Sequence, residues 1–182
     1  MKKGRTIIDE RQLDITLNRL AHQLIESCDD FKDTCLIGIQ QSGVVLAQRI
    51  YNHLTGALGI DDFPFGKLDI TFFRDDFRRR ETPLQASPTE LDFLVEDKHV
   101  ILVDDVLYTG RTIQAAMSAL QQFGRAGKIE MLALIDRRFN RHLPIKADFI
   151  GLVVDALDEA YVKVEWKEEA GADRVLLFSP KR

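Results

Sequence analysis

Two adjacent carboxylates, Asp104 and Asp105, directly follow an apolar run in this chain of 182 residues. The run, residues 100–103, is β-branched or aliphatic throughout, which is typical of a strand buried on both faces. Open α/β sheets bind ligands at the carboxyl ends of their strands, so we expect both acids to face a ligand. Carboxylates in that place can accept hydrogen bonds from hydroxyl groups or bind a metal ion.

The residues after the acids have the composition of an anion site at the start of a helix. Gly110 lets the backbone approach a ligand closely, and Thr109 or Thr112 can cap the helix that follows. Exposed N–H groups at that helix start attract an anion, and the helix macrodipole reinforces the attraction. The pattern predicts a cradle for a phosphorylated sugar, although an ordinary strand, turn and helix with solvated acids would share its outline.

The string HVILVDDVLYTGRT, residues 99–112, resembles the 5-phosphoribosyl-1-diphosphate (PRPP) binding motif of type I phosphoribosyltransferases. The resemblance implies that the two acids hold the ribose hydroxyls, directly or through Mg²⁺, and that residues 107–112 wrap the 5-phosphate. The implied PRPP-binding residues are Asp104, Asp105, Val106, Leu107, Tyr108, Thr109, Gly110, Arg111 and Thr112.

Tyr108 occupies the position where purine-specific members of that family carry an acid. Tyrosine has an unperturbed pKa near ~10 and is a poor general base at neutral pH, so we assign no general base. With this tyrosine the string is similar to that of the pyrimidine-operon attenuator/uracil phosphoribosyltransferase (PyrR) family. Residues 68–77 and 124–151 follow that family's order and spacing, and the resemblance covers nearly the whole chain.

This resemblance implies a transferase that converts uracil and PRPP to UMP and diphosphate, with Mg²⁺ as cofactor. It also implies a homo-oligomer that can bind messenger RNA leaders of pyrimidine genes. The alternatives are a phosphoribosyltransferase for a purine base, a nucleotide-sensing RNA-binding regulator with little catalysis, and a weak homologue that only binds PRPP or nucleotides. The RNA contacts would be Arg19, Arg138, Arg141 and His142, unless these residues form an ordinary solvated face.

The chain departs from the PyrR pattern on either side of the motif. The family's diphosphate loop resembles Gly-Ile-Lys-Thr-Arg-Gly, whereas residues 38–43 read Gly-Ile-Gln-Gln-Ser-Gly. Two basic side chains are absent, so diphosphate binding must rest on backbone amides and on Arg74 or Arg137. The predicted diphosphate and lid residues are Gln40, Gln41, Ser42, Gly43, Arg74, Asp75 and Arg137.

The segment that would form the hood over the base is Ile150-Gly151-Leu152. A leucine stands here where the family has a lysine. Loss of a buried recognition group can change discrimination between substrates by orders of magnitude. The identity of the base is therefore the most open part of the prediction.

A second strand end and a long polar stretch extend the predicted site. The strand at 129–136 ends in Asp136, which joins Asp104 and Asp105 as a candidate contact for Mg²⁺, and is followed by Arg137, whose fork of donors suits a diphosphate. Residues 74–97 form an unusually long loop for a compact domain. Composition alone favours a disordered surface loop, but in the resembled family this stretch matches the flexible hood loop, so the resemblance implies a lid that keeps water from the reaction.

These residues are predicted to lie in one α/β domain over residues 1–182, with a parallel central sheet, flanking helices and a small antiparallel C-terminal hairpin or hood. Apolar spacing predicts helices at 9–27, 44–55 and 111–123. It predicts strands at 35–39, 68–73, 99–104, 129–136, 149–154, 162–166 and 175–178.

The composition is that expected of a globular cytoplasmic protein, with 45% hydrophobic residues. The net charge of −4 provides no global attraction to nucleic acid. No apolar run reaches the ~20 residues needed to cross a bilayer, and the basic start lacks the apolar core of a secretory signal. Cys28 and Cys35 lack metal-ligand spacing, so we expect buried thiols without a disulfide.

Overall fold

Strands and helices alternate along much of the computed structural model, which describes residues 4–28, 31–59, 63–75, 86–155 and 160–178. In chain order the elements are β1 (Arg5–Ile8), α1 (Glu10–Ser27), β2 (Thr34–Ile39), α2 (Ser42–Leu58), β3 (Phe65–Leu68), β4 (His99–Leu107), α3 (Arg111–Leu120), β5 (Lys128–Arg137), β6 (Phe149–Val154), β7 (Tyr161–Glu165), α4 (Lys167–Ala170) and β8 (Arg174–Phe178). Short 3-10 helices at Thr71–Phe73 and Gln121–Phe123 follow β3 and α3.

A five-stranded parallel sheet in the order β3-β2-β4-β5-β6 forms the centre of the fold. In its middle strand, β4, Ile101 and Val103 pack with α1 and α2, whereas Val100 and Leu102 pack with α3. Each of these side chains is at most 1% exposed. Burial on both faces explains the continuous apolar run in the sequence. The predicted α/β fold with a parallel central sheet is confirmed.

The helix α1 starts after Asp9, as predicted from the sequence. The Asp9 carboxylate accepts a hydrogen bond from the Gln12 backbone N–H at 2.8 Å, and Gln12 Oε1 accepts one from the Asp9 N–H at 3.0 Å. This capping box stabilises the first turn. The apolar stripe of the helix is buried in the core and consists of Leu13, Leu17, Leu20, Ala21 and Leu24.

A second sheet is antiparallel and has the order β1-β8-β7. Its strands β7 and β8 form the predicted C-terminal hairpin, with Val164 opposite Val175. The strand β1 was not predicted, because four residues carry too short a pattern to be recognised. These residues form a strand because they pair with β8, with Thr6 opposite Leu176.

Two predicted strand boundaries near the site are wrong. The strand expected at 68–73 lies earlier, at Phe65–Leu68, and Thr71–Phe73 form a 3-10 helix. The β-branched and aromatic residues there have the pattern of a buried strand, but Phe72 is 69% exposed. The strand β4 continues past its expected end at residue 104, because its pairing with β5 extends to Leu107 opposite Asp136.

Cys28 and Cys35 are buried thiols, as predicted, and are 7% and 0% exposed. Within the described ranges, no helix combines the length and the apolar character needed to cross a membrane.

Candidate active site

The carboxyl ends of β2 and β4 border a cavity of about 410 Å³. The two strands are neighbours, with Gly38 opposite Val103, so the residues that follow each strand meet at this edge of the sheet. The predicted site residues that line the cavity are Gln40, Gln41, Ser42, Arg74, Asp104, Asp105, Val106 and Thr112. Asp69, Ile70, Thr71 and Ser87 also line it and were not predicted.

Asp104 and Asp105 form a crowded acid pair in the wall of this cavity. Burial is the main cause that raises the pKa of each carboxyl above its usual value, and the charge of Asp105 raises the pKa of Asp104 further. The Ser42 hydroxyl hydrogen-bonds to the Asp105 carboxylate, and the charge of Arg74 partly opposes the rise in the pKa of Asp104. Such a pair favours a ligand that donates hydrogen bonds or brings positive charge.

Gly43 allows the start of α2 to approach the acid-bearing strand. A Cβ atom at this position would lie 2.6 Å from the Val103 carbonyl oxygen and 3.2 Å from the Asp104 Cα atom. These are backbone atoms in the middle of the sheet, so they cannot move aside as a flexible side chain would. The predicted loop 40–43, in which the Gln40–Gln41 peptide bond is cis, therefore touches β4 through its glycine.

Two helices begin next to the cavity without a side-chain cap. Gln41 precedes α2 and forms no capping hydrogen bond through its side chain, and Gly110 precedes α3 with a φ of 91°, in the left-handed region that favours glycine. The expected cap at α3 is wrong: the Thr109 hydroxyl accepts only a 3.4 Å hydrogen bond from the Arg111 N–H. The first N–H groups of both helices are suited to bind anionic oxygens.

Asp69, just after β3, connects two parts of the cavity wall. Its Oδ1 accepts a hydrogen bond from the Thr71 N–H at 2.6 Å, and its Oδ2 accepts one from the Ser87 N–H at 2.6 Å. The Asp69 N–H itself donates to the Thr89 hydroxyl at 3.0 Å. The carboxylate thus holds the chain on both sides of residues 76–85. An acid directly after a strand could have indicated Asp69 as a site residue. It was missed because residue 69 was expected to lie inside a strand at 68–73.

The described parts of the predicted lid, residues 74–97, are attached to the fold. Residues 76–85, which include Arg78 to Arg80, lie outside the described residues. The part that follows is attached to the fold, because Glu90 forms an antiparallel bridge with Lys67 and the Val95 side chain is 0% exposed. At the other end, Arg74 lines the cavity and Asp75 forms an ion pair with Arg111 at the start of α3.

Arg137 does not line the cavity. Its guanidinium lies over the Tyr108 ring, 3.9 Å from the ring centroid, and the residue is 5% exposed. Its Nε and Nη2 groups are buried and have no hydrogen-bond partner among the described atoms. The Tyr108 hydroxyl accepts a hydrogen bond from Asn140 Nδ2 at 2.9 Å, which fixes the ring.

Asp136 and the motif loop are linked through Arg141. The Arg141 guanidinium donates to the Asp136 carboxylate and to the Tyr108 carbonyl oxygen. Asp136 is thereby paired within the chain and does not line the cavity, so the structure does not group it with the two neighbouring acids as predicted. Among the described residues, no cluster of three or more His, Cys, Asp or Glu side chains could hold a metal ion.

Several residues of the predicted PRPP motif support the loop rather than line the cavity. Leu107 is 1% exposed and packs with α3. The Thr109 carbonyl oxygen accepts hydrogen bonds from the backbone N–H groups of His142 and Leu143, at 3.0 and 3.3 Å. A Cβ atom at Gly110 would lie 3.3 to 3.4 Å from side chains of Leu143 and Ile145. The motif loop therefore rests against residues 138–145.

The structure does not bring the predicted base hood to this cavity. Ile150 and Gly151 lie on β6, and their carbonyl oxygens accept hydrogen bonds from Arg19. A Cβ atom at Gly151 would lie 2.4 Å from the Leu134 carbonyl oxygen, so this glycine serves the packing of the sheet. Leu152 lines a separate groove of about 480 Å³ beside β1 and Leu177.

The four predicted RNA contacts differ in exposure. Arg19 and Arg141 donate hydrogen bonds within the chain, so both guanidinium groups serve the fold. The Arg138 side chain is 58% exposed and lies 3.9 Å from the Asp155 carboxylate, and His142 is also exposed. Between them Phe139 is 73% exposed and has a φ of 81°.

Comparison with known proteins agrees with this geometry. The family model of the phosphoribosyl transferase domain matches residues 5–169. The bifunctional protein PyrR of Syntrophobacter fumaroxidans is 40% identical over 174 residues, covering 96% of this chain and 92% of that protein. The protein of the same name from Enterococcus faecalis strain OG1RF is 39% identical over 173 residues, covering 95% and 96%.

Two solved structures have a similar fold. A hypoxanthine-guanine phosphoribosyltransferase from Bacillus anthracis superposes with a TM-score of 0.73 at 17% identity, covering 97% of this chain and 98% of the other. A hypoxanthine phosphoribosyltransferase from Staphylococcus aureus gives a TM-score of 0.71 at 18% identity, covering 97% and 93%. At such low identity the likeness concerns the fold alone.

Proposed function

The chain belongs to the phosphoribosyltransferase family and, within it, to the PyrR group, and we propose that it transfers the phosphoribosyl group of PRPP to uracil. The products would be UMP and diphosphate. The observation that carries this proposal is the cavity in which the buried Asp104 and the half-buried Asp105 lie beside two helix starts without a side-chain cap. Hydroxyl groups suit the acids and phosphates suit the helix starts, and PRPP has both on one molecule.

The acid pair is assigned to the ribose. Burial raises the pKa of each carboxyl, and the charge of Asp105 raises that of Asp104 further; hydroxyl groups that donate to the carboxylates would stabilise their ionised forms. Positive charge that develops on the ribose ring as diphosphate leaves would also be stabilised by these carboxylates. Asp104 and Asp105 would therefore act through position and charge rather than through proton transfer.

The oxygen-rich acid pair also fits Mg²⁺, which binds carboxylates, phosphates and water. Asp104 and Asp105 would hold the ion together with PRPP. When bound, Mg²⁺ would neutralise charge on the diphosphate leaving group. Asp136 is left out of this assignment, because its carboxylate is paired with Arg141.

Each of the two helix starts would bind a different phosphate group of PRPP. The start of α3, with Gly110 and Thr112, would take the 5-phosphate, and the start of α2, with the amides of Gln41 and Ser42, would take the diphosphate. Arg74 supplies a positive charge in the cavity that the neutral loop 40–43 lacks. The Gln40 side chain is already engaged, since its Nε2 donates to the Pro88 carbonyl oxygen at 3.2 Å.

Uracil is proposed as the base because Tyr108 replaces the acid that a purine enzyme of this family would carry. Arg137 is assigned to the substrate as well, since a carbonyl or phosphate oxygen beside the Tyr108 ring would satisfy its unpartnered N–H groups. Arg137 is not among the lining residues, so this assignment requires that part of the bound substrate extends beyond the cavity toward the Tyr108 ring.

A steady-state assay tests the proposal. The enzyme is mixed with PRPP, Mg²⁺ and one base at a time, and diphosphate release and nucleotide formation are measured for uracil, hypoxanthine and guanine. We expect UMP formation with uracil and little turnover with the purines. Turnover with hypoxanthine or guanine but not with uracil would contradict the assignment of the base and leave the PRPP site intact.

The name of the relatives, bifunctional protein PyrR, fits a second function, and we propose binding to leader RNA of pyrimidine genes. The observation that favours it is the exposed group Arg138, Phe139 and His142 on residues 138–145, which rest against the motif loop. Arginine can contact phosphate and an exposed aromatic ring can stack on a base. A gel-shift titration with and without UMP tests this, and an affinity that does not fall with added salt would oppose it.

A further inference from the structure

A cysteine, a histidine and a glutamate contact one another in succession at the amino ends of the parallel strands, opposite the cavity. The Sγ atom of Cys28, the residue after α1, lies 3.9 Å from Nδ1 of His99 at the start of β4. The other ring nitrogen, Nε2, lies 2.7 Å from Oε2 of Glu130 on β5. His99 is five residues from Asp104 on the same strand, which corresponds to about 16 Å at ~3.3 Å per residue.

The Glu130 carboxylate determines which ring nitrogen of His99 carries the proton. A carboxylate only accepts hydrogen bonds, so the neutral imidazole has its proton on Nε2. Nδ1 then presents a lone pair to the Cys28 thiol. Burial acts to raise the pKa of the Glu130 carboxyl, but hydrogen bonds from Lys128 and His99 hold that pKa below its usual value, so the group is ionised at neutral pH.

We propose that Cys28 is a reactive thiol, activated by His99 and Glu130, that forms mixed disulfides with small disulfide molecules. A nucleophile within reach of a base that a third group orients is the arrangement found in activated cysteines. Cys28 is buried at 7% exposed, but the adjoining His99 and Glu130 side chains are 17% and 14% exposed, so the cluster lies just below the surface and a small reagent has a shorter path to Cys28 than to a fully buried thiol.

The chemical step is thiol–disulfide exchange. Nδ1 of His99 takes the thiol proton, and the Cys28 thiolate attacks one sulfur of the small disulfide. A new S–S bond forms to Cys28 while the original S–S bond breaks, and the second sulfur leaves as a thiolate that takes up a proton. The Cys28 sulfur is oxidised and one half of the reagent is reduced to a thiol, so no further oxidant is needed.

The charged groups around the thiol have opposing effects. Lys128 on β5 is close enough to interact electrostatically with Cys28, and a positive charge there favours the thiolate. The Glu130 carboxylate pairs with Lys128 at 2.8 Å, and Asp148 also interacts with Lys128, so both acids weaken its effect. Cys28 caps the carbonyl end of α1, with its N–H donating to the Leu24 carbonyl oxygen at 2.9 Å, and that helix end disfavours negative charge. Activation therefore depends on His99 rather than on the helix.

Cys35 provides an internal comparison. It is 0% exposed, and burial raises the pKa of its thiol to about 12. A thiol that keeps its proton is unreactive at neutral pH. Global unfolding exposes both cysteines together, so a difference between them in the folded protein reports local access and activation, which the pH dependence and the variants described below separate.

The first test measures the rate at which dithiodipyridine modifies each cysteine of the folded protein, with peptide mass spectrometry to separate the two. We expect Cys28 to react roughly tenfold or more faster than Cys35, in proportion to reagent concentration. Its rate should remain high below the pH at which an ordinary thiol ionises, near ~8.5. Equal rates at both cysteines, independent of reagent concentration, would mean that reaction requires unfolding and would overturn the proposal.

The second test uses variants. His99→Gln keeps a polar side chain but has no base, and should lower the rate at Cys28 about tenfold or more and restore the pH dependence of an ordinary thiol. Glu130→Gln should give a smaller loss. His53→Gln, on α2, is the control and should leave the rate unchanged. A His99→Gln protein that reacts as fast as the wild type would contradict the role of His99, and the wild-type comparison of the two cysteines holds even if this variant does not fold.

Discussion

The central guanidinium carbon of Arg137 lies over the Tyr108 ring, 3.9 Å from its centroid, with two of the buried guanidinium nitrogens unsatisfied in the described structure. A ring face can attract the cation but cannot accept its in-plane N–H groups as a carboxylate or phosphate would. An unsatisfied buried donor costs about 1–3 kcal/mol, so an oxygen of the substrate would stabilise this arrangement. The Tyr108 ring thus helps to hold the Arg137 guanidinium beside the motif loop.

Arg137→Lys is expected to lower kcat/KM for uracil about ten- to hundredfold, because lysine keeps the charge but loses the planar donors and the stacking. Steady-state kinetics at saturating PRPP measure this. Arg138→Lys, at the exposed neighbouring position, is the matched control and should retain the wild-type value. If the two variants behave alike, Arg137 does not contact the substrate.

Gly43→Ala is expected to abolish most of the activity and to destabilise the fold, since its Cβ would lie 2.6 Å from the Val103 carbonyl oxygen. The start of α2 must then move away from the acid pair, which should appear as a higher KM for PRPP. Gly56→Ala is the control in the same helix, because nothing lies within 4 Å of its added Cβ. That change should raise stability by roughly 0.5–1 kcal/mol in denaturant unfolding. Equal kinetics in both variants would show that the close contact at Gly43 is not needed.

Asp104→Asn is expected to abolish transfer and yet to raise the Tm at neutral pH. The folded pKa of Asp104 lies above its unfolded value, so the folded wild type binds this proton more tightly than the unfolded chain. Its contribution to stability is present at low pH and is lost as the pH rises from the unfolded pKa near ~3.9 through the folded pKa. Thermal unfolding should therefore show a gain in the variant that grows from about pH 4 to neutral pH, reaching about 2 to 4 °C.

Asp14→Asn, an exposed acid on α1, is the control for this experiment and should follow the wild-type pH dependence. An Asp104→Asn protein that keeps full activity would remove the acid pair from the proposed mechanism. A variant less stable than the wild type at neutral pH would mean that interactions within the substrate-free protein already stabilise the Asp104 carboxylate.

Asp69→Asn is expected to raise the KM for PRPP about tenfold with a smaller change in kcat. The amide has one acceptor oxygen, so the N–H of either Thr71 or Ser87 loses its partner and one side of the cavity wall loosens. Asp92→Asn, an exposed acid in the same part of the chain, is the control and should leave both constants unchanged. A fall in kcat with unchanged KM would instead place Asp69 in the reaction.

The part of the site that could be predicted is the part whose chemistry is contiguous in sequence. Asp104, Asp105 and the turn after them form one strand, loop and helix start, so local pattern and resemblance both locate them. Asp69 was missed because it acts through backbone groups eighteen residues away, at Ser87. Asp136 pairs with Arg141, and the Ile150 carbonyl oxygen accepts a hydrogen bond from Arg19. These pairings depend on how loops and helices meet in three dimensions, which the residue pattern does not show.

The Thr109 carbonyl oxygen, which accepts hydrogen bonds from the N–H groups of His142 and Leu143, joins the motif loop proposed to bind the sugar to residues 138–145, proposed to contact RNA. In thermodynamic terms, linkage between two such sites must be reciprocal: if UMP strengthens RNA binding by some factor, RNA strengthens UMP binding by the same factor. If both proposed functions hold, these two hydrogen bonds would act with those from Arg141 and Asn140 to Tyr108 in coupling the two sites, and weakening any of them should lower both cooperative effects together.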